Sequence, residues 1–224
     1  MTCRHPSLFV VIVASVGVLA SLATPQRAAA GEERWLLRMS GVSVTPDITL
    51  DTMDAEGQRI TASGDGATGF GVEVEYRLND RLGLTVGGLS AAPRVVVRVT
   101  PPSGEPVSAG DDLSMRPLTV GLDVHLTPAS RVDLSVGLMV AYVAYGDLEL
   151  DAGEGRRLEL SSDDDVGWGA TVGADVRQGD GPWSIGVSAS YLDTTLRVSN
   201  AEDPDTHEVD VDPFILGLGV GYRF

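Results

Sequence analysis

The sequence predicts an all-β fold, an eight-stranded antiparallel transmembrane β-barrel of the outer-membrane type with up-and-down topology. Three observations predict it. Apolar residues recur at every second position in eight segments between Trp35 and Phe224, the period of a strand rather than a helix. The intervening positions hold Gly and Ser with Asp, Glu and Arg, a face too small and too charged for the surface of a soluble sheet. The connections alternate between tight turns and long segments, as in a barrel whose termini both lie on the periplasmic side.

Residues 1–30 read as an address. Arg4 and His5 precede an apolar run from Leu8 to Ala23, and Ala28-Ala29-Ala30 forms an A-x-A site, so cleavage of a signal peptide is expected after Ala30. Residues 31–224 are then the barrel. No later apolar stretch approaches the roughly 20 residues that a spanning helix requires. Cys3 is the sole cysteine and falls in the leader, so the exported chain has no thiol for a disulfide, for nucleophilic catalysis or for zinc.

The first strand is Trp35–Val44. In Phe70–Leu78, the apolar Phe70, Val72, Val74, Tyr76 and Leu78 face away from Gly71, Glu73, Glu75 and Arg77, and Leu82–Val99 reads as one long strand after them. Leu118–Leu126 opposes its apolar positions to Thr119, Gly121, Asp123 and His125, and Val132–Tyr142 opposes its own to Asp133, Ser135, Gly137, Met139 and Ala141. Trp168–Val176 alternates with Gly169, Thr171, Gly173, Asp175 and Arg177, and Trp183–Tyr191 with Ser184, Gly186, Ser188 and Ser190. Phe214, Leu216, Leu218, Val220, Tyr222 and Phe224 close the chain against Ile215, Gly217, Gly219, Gly221 and Arg223. Tight turns fall at Asn79-Asp80, Pro128-Ala129-Ser130 and Gly179-Asp180-Gly181, while segments 45–65, 101–112, 151–164 and 199–208 read as long outer loops. In hydrocarbon every backbone amide needs an internal partner, so strands cross only as a closed barrel, with lipid outside and a polar lumen inside. A secreted sandwich or lipocalin-like barrel would turn the apolar face inward instead.

Charge narrows the function classes. All 16 basic residues are Arg, against 32 acidic ones, for a net charge of −16, which argues against nucleic acid as a partner. The alternation directs Arg38, Glu73, Glu75, Arg77, Asp123, Asp133, Asp175, Arg177 and Arg223 into the lumen, where they are expected to pair as a plug in the periplasmic half, since unpaired charges away from bulk water are costly. The long segments are acidic, with only Arg59, Arg156 and Arg157 in opposition, and would repel anionic cargo. Asp163-Asp164-Asp165 lacks the spacing of a calcium hand and reads as solvated loop. No cofactor is implied. A lipid A-modifying enzyme is a competing reading that would rest on His125, with Thr127 two residues on, or on His207, beside Asp205 and Glu208, but nothing in the sequence brings nucleophile, base and orienter within hydrogen-bond reach.

The closing stretch Gly217-Leu-Gly-Val-Gly-Tyr-Arg-Phe224 looks like the signal that barrel-assembly machinery reads, with Gly219, Tyr222 and Phe224 in the expected places. Together with Trp35-Leu-Leu-Arg-Met-Ser-Gly-Val-Ser-Val-Thr-Pro46, Leu89-Ser-Ala-Ala-Pro93, Arg116-Pro117, Trp168-Gly-Ala170, Tyr191-Leu-Asp193 and Asp212-Pro-Phe214, it resembles the OmpW family of outer-membrane proteins, which includes AlkL-type alkane importers. The resemblance implies a narrow, partly hydrophobic lumen and passage of small apolar molecules, which enter from outside and leave sideways where proline-interrupted strands open the wall. Pro93, Pro117 and Pro213 are the prolines it points to, each lacking an N–H for the ladder. Leu89 matches an apolar residue that constricts the family's lumen. The aromatic residue expected just before Tyr191 is Ser190 here, which leaves a wider constriction or one made by Leu192. The partners implied are outer-membrane lipid and lipopolysaccharide, the assembly machinery and a small apolar solute, with the barrel a monomer. A non-transporting surface barrel, serving adhesion or envelope stability, is the alternative function.

Overall fold

The computed structural model describes residues 34–224 apart from 49, 54–56, 104, 129, 152–156, 180 and 201–206. The leader and its cleavage point lie outside the described residues. In chain order the strands are β1 (Trp35–Thr45), β2 (Leu50–Met53), β3 (Arg59–Asp65), β4 (Ala67–Arg77), β5 (Leu82–Ala91), β6 (Arg94–Thr100), β7 (Val107–Asp112) and β8 (Met115–His125). The second half continues with β9 (Val132–Tyr145), β10 (Leu148–Asp151), β11 (Arg157–Asp163), β12 (Asp165–Arg177), β13 (Trp183–Asp193), β14 (Thr195–Asn200), β15 (His207–Asp210) and β16 (Phe214–Arg223).

Eight of these close into a barrel in the order β1-β16-β13-β12-β9-β8-β5-β4, every neighbour antiparallel. Each barrel strand pairs with the barrel strand before and after it in sequence, so the topology is up-and-down. Closure joins the two ends of the described chain: Trp35 N–H donates to the Phe224 carbonyl at 3.1 Å and Phe224 N–H to the Trp35 carbonyl at 3.0 Å. No edge is left in the membrane-spanning part, which is what hydrocarbon demands.

The apolar half of each alternation faces outward. Leu138 is 66% and Leu218 63% exposed on the outer wall, whereas Glu75 is 2% and Asp133 1% exposed inside. Burial is thus inverted relative to a soluble sheet, which identifies the outer wall as lipid-facing. Aromatic side chains ring the periplasmic end, with Trp35 against Tyr76 at 4.7 Å between ring centroids and Trp183 against Tyr222 at 4.8 Å. Phe70, Trp168, Tyr191 and Phe214 point outward toward the other end, as in the two girdles of a spanning barrel.

Short side chains fix the periplasmic turns. Asn79 Oδ1 accepts from the amides of Arg81 and Leu82 at 2.8 and 3.0 Å, and Thr127 Oγ1 accepts from Leu134 N–H at 2.9 Å while donating to the Val132 carbonyl. Gly179 has φ +63°, a left-handed conformation that the Gln178–Trp183 turn requires and that glycine adopts without strain.

Two sequence expectations need correction. Leu82–Val99 is two strands, not one: the chain leaves the barrel wall at Ala91 and re-forms beyond Pro93 as β6, which pairs with β3 and β7 in a different sheet. Pro93 offers only its carbonyl, which accepts from Leu113 N–H at 2.8 Å. The long segments are also not simply loops. They carry β2, β3, β7, β11 and the start of β15, which with β6, β10 and β14 build two four-stranded sheets, β2-β3-β6-β7 and β10-β11-β14-β15, that continue the wall outward. The wall divides into these two sheets above Asp47 and Asp212, whose backbones exchange bonds of 3.3 and 3.4 Å, and above Ser114 and Gly146, joined at 2.8 Å. The Asp163–Asp165 run belongs to this framework, ending β11 and opening β12, with Asp165 accepting from Thr195 N–H at 2.8 Å.

Candidate functional site

Inward-facing positions divide the lumen into two halves of opposite chemistry. In the periplasmic half, Arg38 on β1 pairs with Glu73 on β4 and, across the tube, with Asp175 on β12 at 2.5 Å. Arg77 bridges Glu75 at 3.1 Å and Asp133 on β9 at 2.5 Å, and Arg223 approaches Asp133 at 3.9 Å. Asp123 is buried, its carboxylate lying over Gly137 on β9. Arg177 sits at the rim and donates to the Pro128 carbonyl at 2.9 Å. The pairs of Arg38 and Arg77 link strands that are far apart in sequence.

The residue that sequence reasoning undervalued is His125. Its Nε2 lies 2.8 Å from Glu75 and its Nδ1 3.2 Å from Asp133, so the ring spans two carboxylates that belong to different strands. Its partners among the described residues are Glu75, Asp133 and Arg77, so the ring joins the charge network as a hub. Glycines make room for the network: a Cβ on Gly83 would meet the Glu75 carboxylate at 2.7 Å.

The extracellular half is apolar. Val44, Leu113, Met115, Val143 and Val211 are fully buried, and Leu192 is 1% exposed among them. Leu89 is partly buried and packs against this cluster from β5, so two of the three gate candidates do meet in one chamber. Ser190 is different. Its hydroxyl donates to Thr171 Oγ1 at 3.0 Å, which places it among the small polar residues between the chamber and the charges. Tyr145 adds one polar pair to the chamber, with Thr194 at 2.9 Å.

The prolines fall at three distinct places. Pro117 lies within β8, fully buried, and keeps its register partner Val143 on β9. On the other side the β5–β8 register runs through Gly88↔Leu118 and resumes only at Ala91↔Met115. Leu89 and Ser90 thus face Pro117 and Arg116 without pairing, and Gly88 just below presents no side chain to the outer wall. Pro93 marks the passage from β5 to β6, and Pro213 precedes β16, its carbonyl accepting from Leu192 N–H at 3.2 Å. At the C-terminus, Tyr222 and Phe224 stack outward with centroids 6.2 Å apart, and Gly219 packs against the β1 backbone at Met39.

A closed, edge-free barrel with a lipid-facing apolar wall and a filled, polar-to-apolar lumen defines an outer-membrane β-barrel protein. The chain belongs to the family described as outer membrane protein beta-barrel domain, whose profile matches residues 15–224. It is similar to Outer membrane protein W of Vibrio cholerae serotype O1, at 25% identity over 95% of this chain and 98% of that protein. Among solved structures it is similar in fold to OprG from Pseudomonas aeruginosa, with a TM-score of 0.61 and 20% identity over 85% of this chain and 95% of that one. The structure of AlkL in lipid bilayers is similar as well, with a TM-score of 0.57 and 20% identity over 88% of this chain and 92% of that one. The protein's location is the outer membrane of a Gram-negative cell.

Proposed function

We propose that the barrel is a conduit for small hydrophobic molecules, which enter the apolar chamber from the extracellular end and leave sideways into the bilayer between β5 and β8. The observation that carries this reading is the unpaired stretch of that ladder, where Leu89 and Ser90 face Pro117 and Arg116. A missing N–H at Pro117 removes a rung that most sequences would supply, and strands part most easily where rungs are absent. The ion-paired half supports the same route by exclusion. An apolar solute would have to displace buried charge pairs to continue downward, whereas sideways exit never returns it to water. Leu89 and Leu192 would then set the width of the passage, and Pro93 and Pro213 would fix the strand ends around it. The same proposal takes residues 1–30 as a leader removed after Ala30 and Gly219, Tyr222 and Phe224 as an assembly signal.

Uptake of a short alkane by cells with and without the protein, at matched amounts of folded barrel, tests the conduit. Faster uptake is expected with the protein present. Equal uptake across several apolar probes would favour a non-transporting surface barrel, a role to which the two outer sheets and the filled lumen are also suited.

A further inference from the structure

The outer wall is not electrically uniform just above the membrane. On the row Gly41–Phe70–Ser90, which continues across the unpaired stretch to Arg116 and Ala144, Phe70 is 51% exposed and belongs to the aromatic girdle. Arg116 is exposed on that same row, and the outward residues below it on β8 are apolar, with Val120 51% and Leu122 53% exposed. Arg116 is thus the first charge above the hydrocarbon on its strand. Above it on the same flank, Arg94 and Arg98 are exposed on the outer face of β6. Arg98 Nε donates to Ser108 Oγ at 3.2 Å, which orients the guanidinium. Asp65 and Asp112 flank Arg94 in register, yet none of the three arginines forms an ion pair among the described residues.

The opposite flank is the reverse. Asp164, Asp193 and Asp212 stand just above the girdle there, Asp164 bonded to Tyr142 and Asp212 to Tyr191 at 2.9 Å. Arg197, exposed on β14, is already committed to Glu208 at 2.8 Å and Asp165 at 3.4 Å. A chain of net charge −16 repels anions over most of its outer surface, so positive charge outside any ion pair, rising on one flank from the girdle at Arg116 through Arg94 to Arg98, is selective.

We infer that Arg94, Arg98 and Arg116 form a docking strip for the phosphate groups of the outer-leaflet glycolipid, lipopolysaccharide. With strands rising about 3.3 Å per residue, Arg94 and Arg98 stand about 13 Å apart along β6, a spacing that suits a lipid carrying more than one phosphate. Guanidinium groups bind phosphate oxygens in pairs, which favours Arg over Lys at each position. A lipid held by Arg116 lays its acyl chains along β5 and β8, over the stretch where those strands do not pair. The inference rests on the outer-membrane location and not on transport, so its failure would leave the conduit reading untouched.

The test is binding of lipopolysaccharide to the purified, folded full chain in detergent, with folding checked by heat-modifiable gel mobility. Wild-type protein is expected to bind, and the triple variant Arg94→Gln, Arg98→Gln and Arg116→Gln to bind at least about tenfold more weakly, since basic groups near an anionic surface contribute roughly a factor of five each. Arg197→Gln should match wild type, and dephosphorylated lipopolysaccharide should bind as poorly as the triple variant does to the intact lipid. Equal binding by the triple variant, by the dephosphorylated lipid or by phosphatidylglycerol vesicles would overturn the inference, as would full competition by millimolar inorganic phosphate. If the triple variant fails to fold, Arg98→Gln and Arg116→Gln measured singly carry the same comparison, and wild-type affinity in both would overturn it.

Discussion

Leu89 on β5 and Pro117 on β8 occupy facing positions at which two strands, paired on either side, exchange no rung. One residue borders the apolar chamber and the other lies within the wall, so the unpaired part of the β5–β8 ladder is also the part that adjoins the apolar interior. Replacing Leu89 with Asp places a charge in the proposed passage without removing a rung. Uptake of apolar probes should fall to the level of cells lacking the protein, while the folded barrel persists on gels. Replacing Pro117 with Val restores an N–H and should slow uptake severalfold with unchanged abundance; wild-type rates in both variants would count against lateral exit.

Arg77 touches three lumenal groups, Glu75, Asp133 and His125. Arg77→Met leaves Glu75 and Asp133 with His125 as their remaining close partner, and loss of one member of a buried pair costs up to about 3–5 kcal/mol. Urea unfolding in lipid vesicles should show that loss. Adding Asp133→Leu should recover part of it, because the second change removes a charge left with one partner fewer; strictly additive losses would show that the two groups are uncoupled.

Leu192 is 1% exposed in the chamber. Leu192→Ala should cost about 2–5 kcal/mol of stability through the cavity it opens. The same cavity should raise uptake of bulkier apolar probes relative to short ones. A change in stability with no change in size preference would separate packing from selection.

Two glycines on paired strands offer a matched comparison. A Cβ on Gly219 would meet the Met39 carbonyl and come within 2.9 Å of Ser40 Cβ, whereas a Cβ on Gly41 has nothing within 4 Å. Gly219→Ala is expected to lower the folded fraction at the β1–β16 seam by about 1–3 kcal/mol. Gly41→Ala should be near neutral, and equal behaviour of the two would refute the steric account.

The parity of each strand was legible because lipid and lumen impose opposite chemistry on successive residues. Phe214 to Phe224 shows it without reference to any other strand, and so do the inward acids Glu73 and Glu75. Pairing partners were not legible, because register depends on how the barrel staggers and not on any one strand. His125 shows the cost: its place on the inner face could be read, but the carboxylates on either side of its ring come from β4 and β9. The outer sheets escaped notice for a different reason. β3 runs Arg59-Ile-Thr-Ala-Ser-Gly-Asp65, whose small residues give little alternation, and Leu82–Val99 ran unbroken in pattern across Pro93, where the chain changes sheets.

The two halves of the lumen both lose stabilisation on cooling, for different physical reasons. Apolar packing around Leu113, Met115 and Val143 weakens on cooling, because the entropy that drives it fades as water becomes colder. The desolvation penalty carried by Arg77, Glu75 and Asp133 shrinks on warming, so their pairs hold best when hot. Cooling therefore loosens the mouth and the floor of the tube together, the one through its packing and the other through its charges.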